Sequence, residues 1–140
     1  MTSADIVREA CRVIWTEGDV SRAEEFYSED FKADYPMTNW GNGIEGLKRL
    51  ATAQREAFPD YRERIDALYD AGDHIIVTLT IRGTHKGPLP GLPPTGKEIE
   101  FRDVTICRIE DGKIVEQSGL SDYLTIYQQL GVVELPTAGA

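Results

Sequence analysis

The run EIEFRDVTICRI, residues 98–109, sets one carboxylate inside a strand-like pattern. Alternation places Phe101, Asp103, Thr105 and Cys107 on one side and Arg102, Val104, Ile106 and Arg108 on the other. Alternation alone leaves open which set faces an interior; were it the first, Asp103 would be a carboxyl among apolar neighbours. Desolvation there raises its pKa and suits it to general acid or base work. The competing role is an ion pair with Arg82 or Arg102 at the sheet rim. Gln117, in KIVEQSGL, can donate and accept, which fits it to anchor a ligand carbonyl. Arg82 could stabilise a developing oxyanion, or its alternate-face position could leave it in solvent. His85, in Gly83-Thr84-His85, either orients the adjoining loop or reaches a pocket edge. Asp122 comes after Ser121 at a helix start, where a carboxylate caps free amides and complements the helix dipole; the other role open to it is catalytic.

Several chemistries have no residues to run on. His74 and His85 follow no metal-ligand spacing, and Cys11 and Cys107 form no CxxC pair, so no metal is expected. The sequence lacks a dinucleotide-binding glycine motif, a phosphate loop and a GxSxG elbow, so no cofactor is expected. Both cysteines lie in apolar patterns and read as buried small hydrophobes. Fifteen basic against 24 acidic residues give a net charge of −9, which opposes nucleic acid and anionic membranes as partners. No apolar run reaches the length of a membrane span, and MTSADIVREA carries early charge in place of a signal-peptide core. The expected setting is soluble, reducing and cytoplasmic.

These side chains need elements to hold them. With 140 residues, 41% of them hydrophobic, the chain can build one core, read as a single domain over 1–131 with a fraying tail over 132–140. Ile6, Val7, Ala10, Cys11, Ile14 and Trp15 recur at helical spacing, with Ser3 as cap and Gly18 as stop; Trp15 reads as core. Ser21 and Glu24 fit a capping box that opens a short second helix. A third helix is predicted from about Ile44 to Phe58, ended by Pro59. Ile75, Val77, Leu79 and Ile81 alternate with Thr78, Thr80 and Arg82 as a half-buried strand. Hairpin signals stand at Ala71–Asp73 and in EDGK. A closing helix, SDYLTIYQQL, ends at Gly131. Helices, an antiparallel meander and a final helix make an α+β layout in which helices cover one face of a strongly curved sheet. The segment Gly83–Asp103, with four prolines and four glycines, reads as a semi-rigid rim over the pocket so formed.

AFPDYRERIDALYDAGDHIIV, GTHKGPLPGLPPTGKEI, RIEDGKIVEQ and DYLTIYQQLG succeed one another as in SnoaL-like proteins, the polyketide-cyclase-like branch of the nuclear transport factor 2-like superfamily. The resemblance covers nearly the whole chain. It implies a cone of curved antiparallel sheet wrapped by about four helices, enclosing a cofactor-free pocket onto which Phe101, Asp103 and Thr105 face. Thr105 would hold the position of a polar catalytic group. Asp34 falls where related isomerases place their base, with Tyr35 as the alternative occupant; Tyr35 and Trp40 are expected ligand-contact aromatics. A homodimer through the exposed sheet face is also implied. This sequence departs from the family at Gly119, where the ring-closing enzymes carry their acid/base aspartate, and at Gln117, where a histidine is common. The function expected is cofactor-independent acid/base catalysis, as a cyclase, isomerase or dehydratase, on a small, largely apolar carbonyl- or epoxide-bearing metabolite. The alternative is a non-catalytic small-molecule-binding module, favoured by Gly119.

Overall fold

A computed structural model describes residues 1–34 and 42–136. The first helix, α1 (Ser3–Ala10), starts one residue earlier than the sequence suggests. Thr2, not Ser3, is its cap: the Thr2 hydroxyl accepts from the Asp5 N–H at 3.1 Å, and the Asp5 carboxylate accepts from the Thr2 N–H at 3.0 Å. The helix then widens into a π-helical segment, Cys11–Thr16. Gly18, at φ 75°, ends it.

The expected second helix is only a 3₁₀ segment, Val20–Glu25, and its predicted capping box does not form, because Ser21 bonds to Asp19 instead. Next in the chain is a strand, β1 (Tyr27–Asp34), which the sequence does not announce. Its buried residues Tyr27 and Phe31 are four apart, and a register shift interrupts its pairing. Helix α2 (Gly43–Ala57) is capped by Asn42 and stops before Pro59 as predicted. The meander comprises β2 (Arg62–Asp70), β3 (His74–Thr84), β4 (Glu98–Glu110) and β5 (Lys113–Ser121). Helix α3 (Tyr123–Gln129) closes the fold. The turn between β4 and β5 has Asp111 at φ 51° and Gly112 at φ 75°, the paired positive angles of a tight hairpin.

The sheet order is β1-β5-β4-β3-β2. Three neighbouring pairs are antiparallel as expected, but β1 lies parallel to β5, so the sheet is mixed. The first helix packs on β2, β3 and β5, α2 on β1, and α3 on β4. Ile75, Val77, Leu79 and Ile81 line the covered face of β3 and are essentially inaccessible. This is the α+β cone expected from the sequence.

One side chain ties the first helix to the sheet. The Arg55 guanidinium on α2 donates to the carbonyls of Trp15 (3.1 Å), Tyr61 (3.0 Å), Pro59 (3.1 Å) and Thr16. It thereby satisfies carbonyls left open where the π-helical segment ends. Thr16 in turn accepts from the Glu63 backbone N–H at 3.0 Å, which fixes the first residues of β2 against that helix end.

Candidate active site

Between the helices and the concave face of the sheet lies a cavity of about 270 Å³. Leu79 and Ile81 of β3 form its floor. Phe101, Asp103, Thr105 and Cys107 line it from β4, and Gln117 and Ser121 from β5. Val7, Cys11 and Trp15 come from the first helix, Tyr123 and Tyr127 from α3. The loop after β3 contributes Leu89 and Pro90 at the rim. Among the described lining residues there is no lysine, arginine or histidine. The cavity is thus apolar with a few inward polar groups, the usual build of a small-molecule site.

Asp103 is where alternation along β4 puts it. Its carboxylate accepts from the Thr105 hydroxyl at 2.5 Å and from the Ser121 hydroxyl across the strand pair. Burial raises its pKa above the ordinary carboxylate value, and the two hydroxyl donors, Ser121 then Thr105, oppose that rise. The rim ion pair does not form: Arg82 is exposed on the outer face and pairs with Glu100 at 2.5 Å, while Arg102 also faces outward. Gly119 lies between Gln117 and Ser121 on β5 and pairs with Thr105, one cross-strand row from Asp103.

A second carboxyl shares the cavity. Glu63, near the start of β2, accepts from the Tyr61 hydroxyl at 2.9 Å. Burial pushes its pKa up to about 8; Tyr61 and Cys11 hydrogen bonds pull the other way, and the nearby Asp103 charge adds to the rise. Among the described residues no cation acts on either carboxyl. At neutral pH Glu63 is therefore a neutral acid, while Asp103 has two hydroxyl donors arranged for its anion. Burial raises the pKa of both carboxyls, but only Asp103 has two hydroxyls bonded to its carboxylate, and that difference lets the pair divide the acid and base roles. Glu63 escapes a reading of the sequence because it stands in Arg62-Glu63-Arg64, which looks like a solvated charge run. The signal that finds it is the alternation of Tyr61, Glu63 and Ile65, which turns Glu63 to the same side as two apolar residues.

Gln117 is buried, and its Oε1 takes the Tyr27 hydroxyl at 3.5 Å and the Cys107 thiol at 3.7 Å. Tyr27 itself accepts from the Trp15 indole N–H at 3.1 Å. This relay of hydrogen bonds fixes the Gln117 side chain in the cavity wall through its oxygen. Trp15, read as core in preference to pocket, both packs there and lines the site. Both thiols stay protonated, since burial pushes Cys107 up to about 12 and Cys11 well above its ordinary value. Neither is a thiolate nucleophile.

Four expected site residues stand outside the cavity. Asp34 is exposed at the end of β1, on an outer groove with Lys32 and Glu116. Asp122 caps α3, accepting from the Thr125 N–H at 3.1 Å and hydroxyl at 2.6 Å, which hold its carboxyl below the usual range. Arg82 is on the solvent face because its position in β3 has the outward parity. His85 is fully buried beneath the loop: its Nδ1 accepts from the Thr95 N–H at 3.2 Å and its ring lies 5.5 Å from that of Phe58. It orients the loop and does not reach the cavity. Tyr35 and Trp40 lie outside the described residues. Among the described residues no His, Cys, Asp and Glu cluster could hold a metal ion, and no helix is long and apolar enough to cross a membrane.

A family model described as SnoaL-like polyketide cyclase matches residues 5–130. The aklanonic acid methyl ester cyclase DnrD of Streptomyces peucetius is 32% identical over 90 residues, covering 64% of this chain and 62% of that protein. The nogalonic acid methyl ester cyclase of Streptomyces nogalater is 34% identical over 62 residues, covering 44% of this chain and 46% of that one. The chain spans 62% and 56% of the length of the first two curated relatives it matches. IdmH of Streptomyces antibioticus superposes with a TM-score of 0.84 at 26% identity, covering 94% of this chain and 100% of its own. TsrD of Streptomyces laurentii, at 24% identity and a TM-score of 0.83 over 94% of this chain and 96% of its own, shares the fold.

Proposed function

The chain belongs to the SnoaL-like polyketide cyclase family, and we propose that it is a cofactor-independent acid/base enzyme of the cyclase type. The observation that carries this reading is Asp103: a desolvated carboxylate in an apolar cavity, held by two hydroxyls and facing no cation. Asp103 removes a proton from the carbon beside a substrate carbonyl. The resulting enolate attacks a second carbonyl of the same molecule and closes a ring. The Gln117 amide donates to the substrate carbonyl, and Thr105 holds Asp103. In the ring-closing enzymes resembled here the aspartate stands at the Gly119 position; Asp103 supplies a carboxylate from the adjacent strand instead.

The cavity also argues for the kind of substrate. The Asp103 carboxylate repels a substrate carboxylate and no described lining residue is a cation to offset it, so the ligand is uncharged, as are the methyl esters that give the curated relatives their names. About 270 Å³ equals roughly nine water volumes, enough for a ligand, or the reacting end of one, on the order of ten non-hydrogen atoms. The test is incubation in D₂O with aklanonic acid methyl ester, nogalonic acid methyl ester and a small neutral triketone, a cyclopentane-1,3-dione whose C2 carries both a methyl group and an oxobutyl arm. A cyclised product isomeric with the substrate is expected, with deuterium beside the carbonyl of any substrate whose deprotonation reverses before ring closure. Recovery of all three substrates without exchange would contradict the reading.

Gly119 favours a second reading, a module that binds a ligand without converting it. Native mass spectrometry of gently purified protein distinguishes the two, because a binder retains its ligand unchanged on incubation. In either case the exposed sheet face, with Val104, Ile106 and Leu120, suits a homodimer. The free thiols of Cys11 and Cys107 suit the cytoplasm.

A further inference from the structure

The geometry points to Glu63 as the proton donor of the reaction, placed across the cavity floor from Asp103. This inference rests on the acid/base reading above. Strand register fixes the arrangement. Glu63 pairs with Ile81, and Ile81 with Phe101; Asp103 pairs with Leu79, and Leu79 with Ile65. The two carboxyls therefore rise from the strands flanking β3, offset by one inward position, with Leu79 and Ile81 between them. Two strand spacings and the two-residue offset along the strands put their backbones about 12 Å apart. A flat substrate on that floor meets one carboxyl at each side.

The groups that face Glu63 keep it uncharged. Tyr61 donates to it from the residue two before it, Cys11 reaches it from the first helix, and Asp103 acts on it from β4, where Cys107 is in turn affected by the Glu63 charge. Tyr61 and both thiols are themselves held in their neutral forms by burial. A glutamate that has no basic partner and no metal-binding cluster around it among the described residues, and that opens onto an apolar cavity, has no structural task that glutamine would not perform as well. A proton to give is what distinguishes it.

The step balances. Asp103 takes the proton from the carbon beside one carbonyl, and the C–H electron pair becomes the enolate. The enolate carbon bonds to the second carbonyl carbon, whose π pair moves to oxygen. Glu63 gives its proton to that oxygen and becomes a carboxylate. Solvent then carries the Asp103 proton back to Glu63, so the reaction is a net isomerisation that consumes no co-reactant.

The experiment combines a carboxyl ¹³C titration of the wild-type protein with rates on the same cyclopentanedione triketone. One glutamate carboxyl should titrate near pH 8, be absent in Glu63→Gln, and move down in Asp103→Asn. Wild-type turnover should fall above about pH 8 as Glu63 ionises. Glu63→Gln should lose about 10²-fold or more in kcat and lose that alkaline fall as well, which a merely structural role would not produce. The wild-type titration keeps the test open even if the variant folds poorly. Every glutamate titrating in the ordinary range near 4.3 overturns the proposal. So does a Glu63→Gln enzyme that matches wild type in rate and pH profile. A wild type inert to the triketone and both methyl esters removes the enzymatic reading along with this role, and is distinguished by that inertness from failure of Glu63 alone.

Discussion

Glu63 links one proton to the stability of the fold. Its pKa rises on folding from 4.5 to about 8, so within that window the native state binds more protons than the unfolded chain. The stability it contributes is complete below about pH 4.5 and is lost as pH rises toward 8. Replacing Glu63 by glutamine removes this dependence. At about pH 7, Glu63→Gln should therefore be more stable than wild type by on the order of 3 kcal/mol, a gap that narrows to about 1 kcal/mol at about pH 5; denaturant melts at the two pH values measure it. A gap of the same size at both would mean that Glu63 is not the titrating group. Asp103 shifts in the same direction, opposed by its hydroxyls, and the same sign applies to Asp103→Asn. The two carboxyls are not equally legible in the sequence. Asp103 stands in a run whose alternation is unbroken, so its side of the strand can be read directly. Glu63 has an arginine on each side, and only the partners beyond them reveal which way it turns.

At the scale of elements, the loop between β3 and β4 is anchored at its base and apolar at its tip. Lys86 and Gly87 donate their N–H groups to the Ala57 carbonyl, both at 3.0 Å, and a side chain at Gly87 would meet the Glu56 carbonyl oxygen at 1.9 Å. Leu89 and Leu92 exchange backbone hydrogen bonds around Pro90 and Gly91, with Gly91 at φ 73°, as a turn with Pro and Gly at its centre requires. The sequence announces this loop through its prolines and glycines. It does not say that His85 would be its internal latch, because a histidine before a loop reads equally as a pocket residue. His85→Ala should lower stability by about 2 kcal/mol and increase amide exchange across 85–97, with catalysis affected less than stability. Arg55→Ala removes a guanidinium shared by four carbonyls and should cost about 3 kcal/mol, whereas a surface arginine would cost little. Strand β1 is hidden for a different reason: Tyr27 and Phe31, four apart across a register shift, imitate a helical spacing.

Across the whole molecule the sheet has two unlike faces. The concave face carries the core and the cavity. The outer face carries ion pairs such as Arg108 with Glu116 and Arg82 with Glu100, around an apolar patch in which Val104, Ile106 and Leu120 are 42%, 40% and 69% exposed. Parity along each strand decides which side chains can take part in chemistry, and it removes Arg82 from the site while keeping Thr105 in it. Parity is readable from the sequence once the strands are recognised. The docking of the first helix against β2, which completes the cavity and desolvates Glu63, depends on Arg55 and Thr16 contacts far apart in the chain. If the outer patch is a dimer interface, Val104→Arg with Ile106→Asp should yield a monomer by light scattering. An unchanged mass would place the interface elsewhere.

The proposed chemistry turns on Asp103 as the base. The measurement that tests it most directly is kcat of Asp103→Asn against wild type on the substrate that wild type cyclises, with melting temperature taken on the same samples. A fall in kcat of about 10²-fold or more, with stability equal to or above wild type near neutral pH, is the predicted result. Unchanged kcat, or a fall that merely tracks a loss of stability, would contradict it.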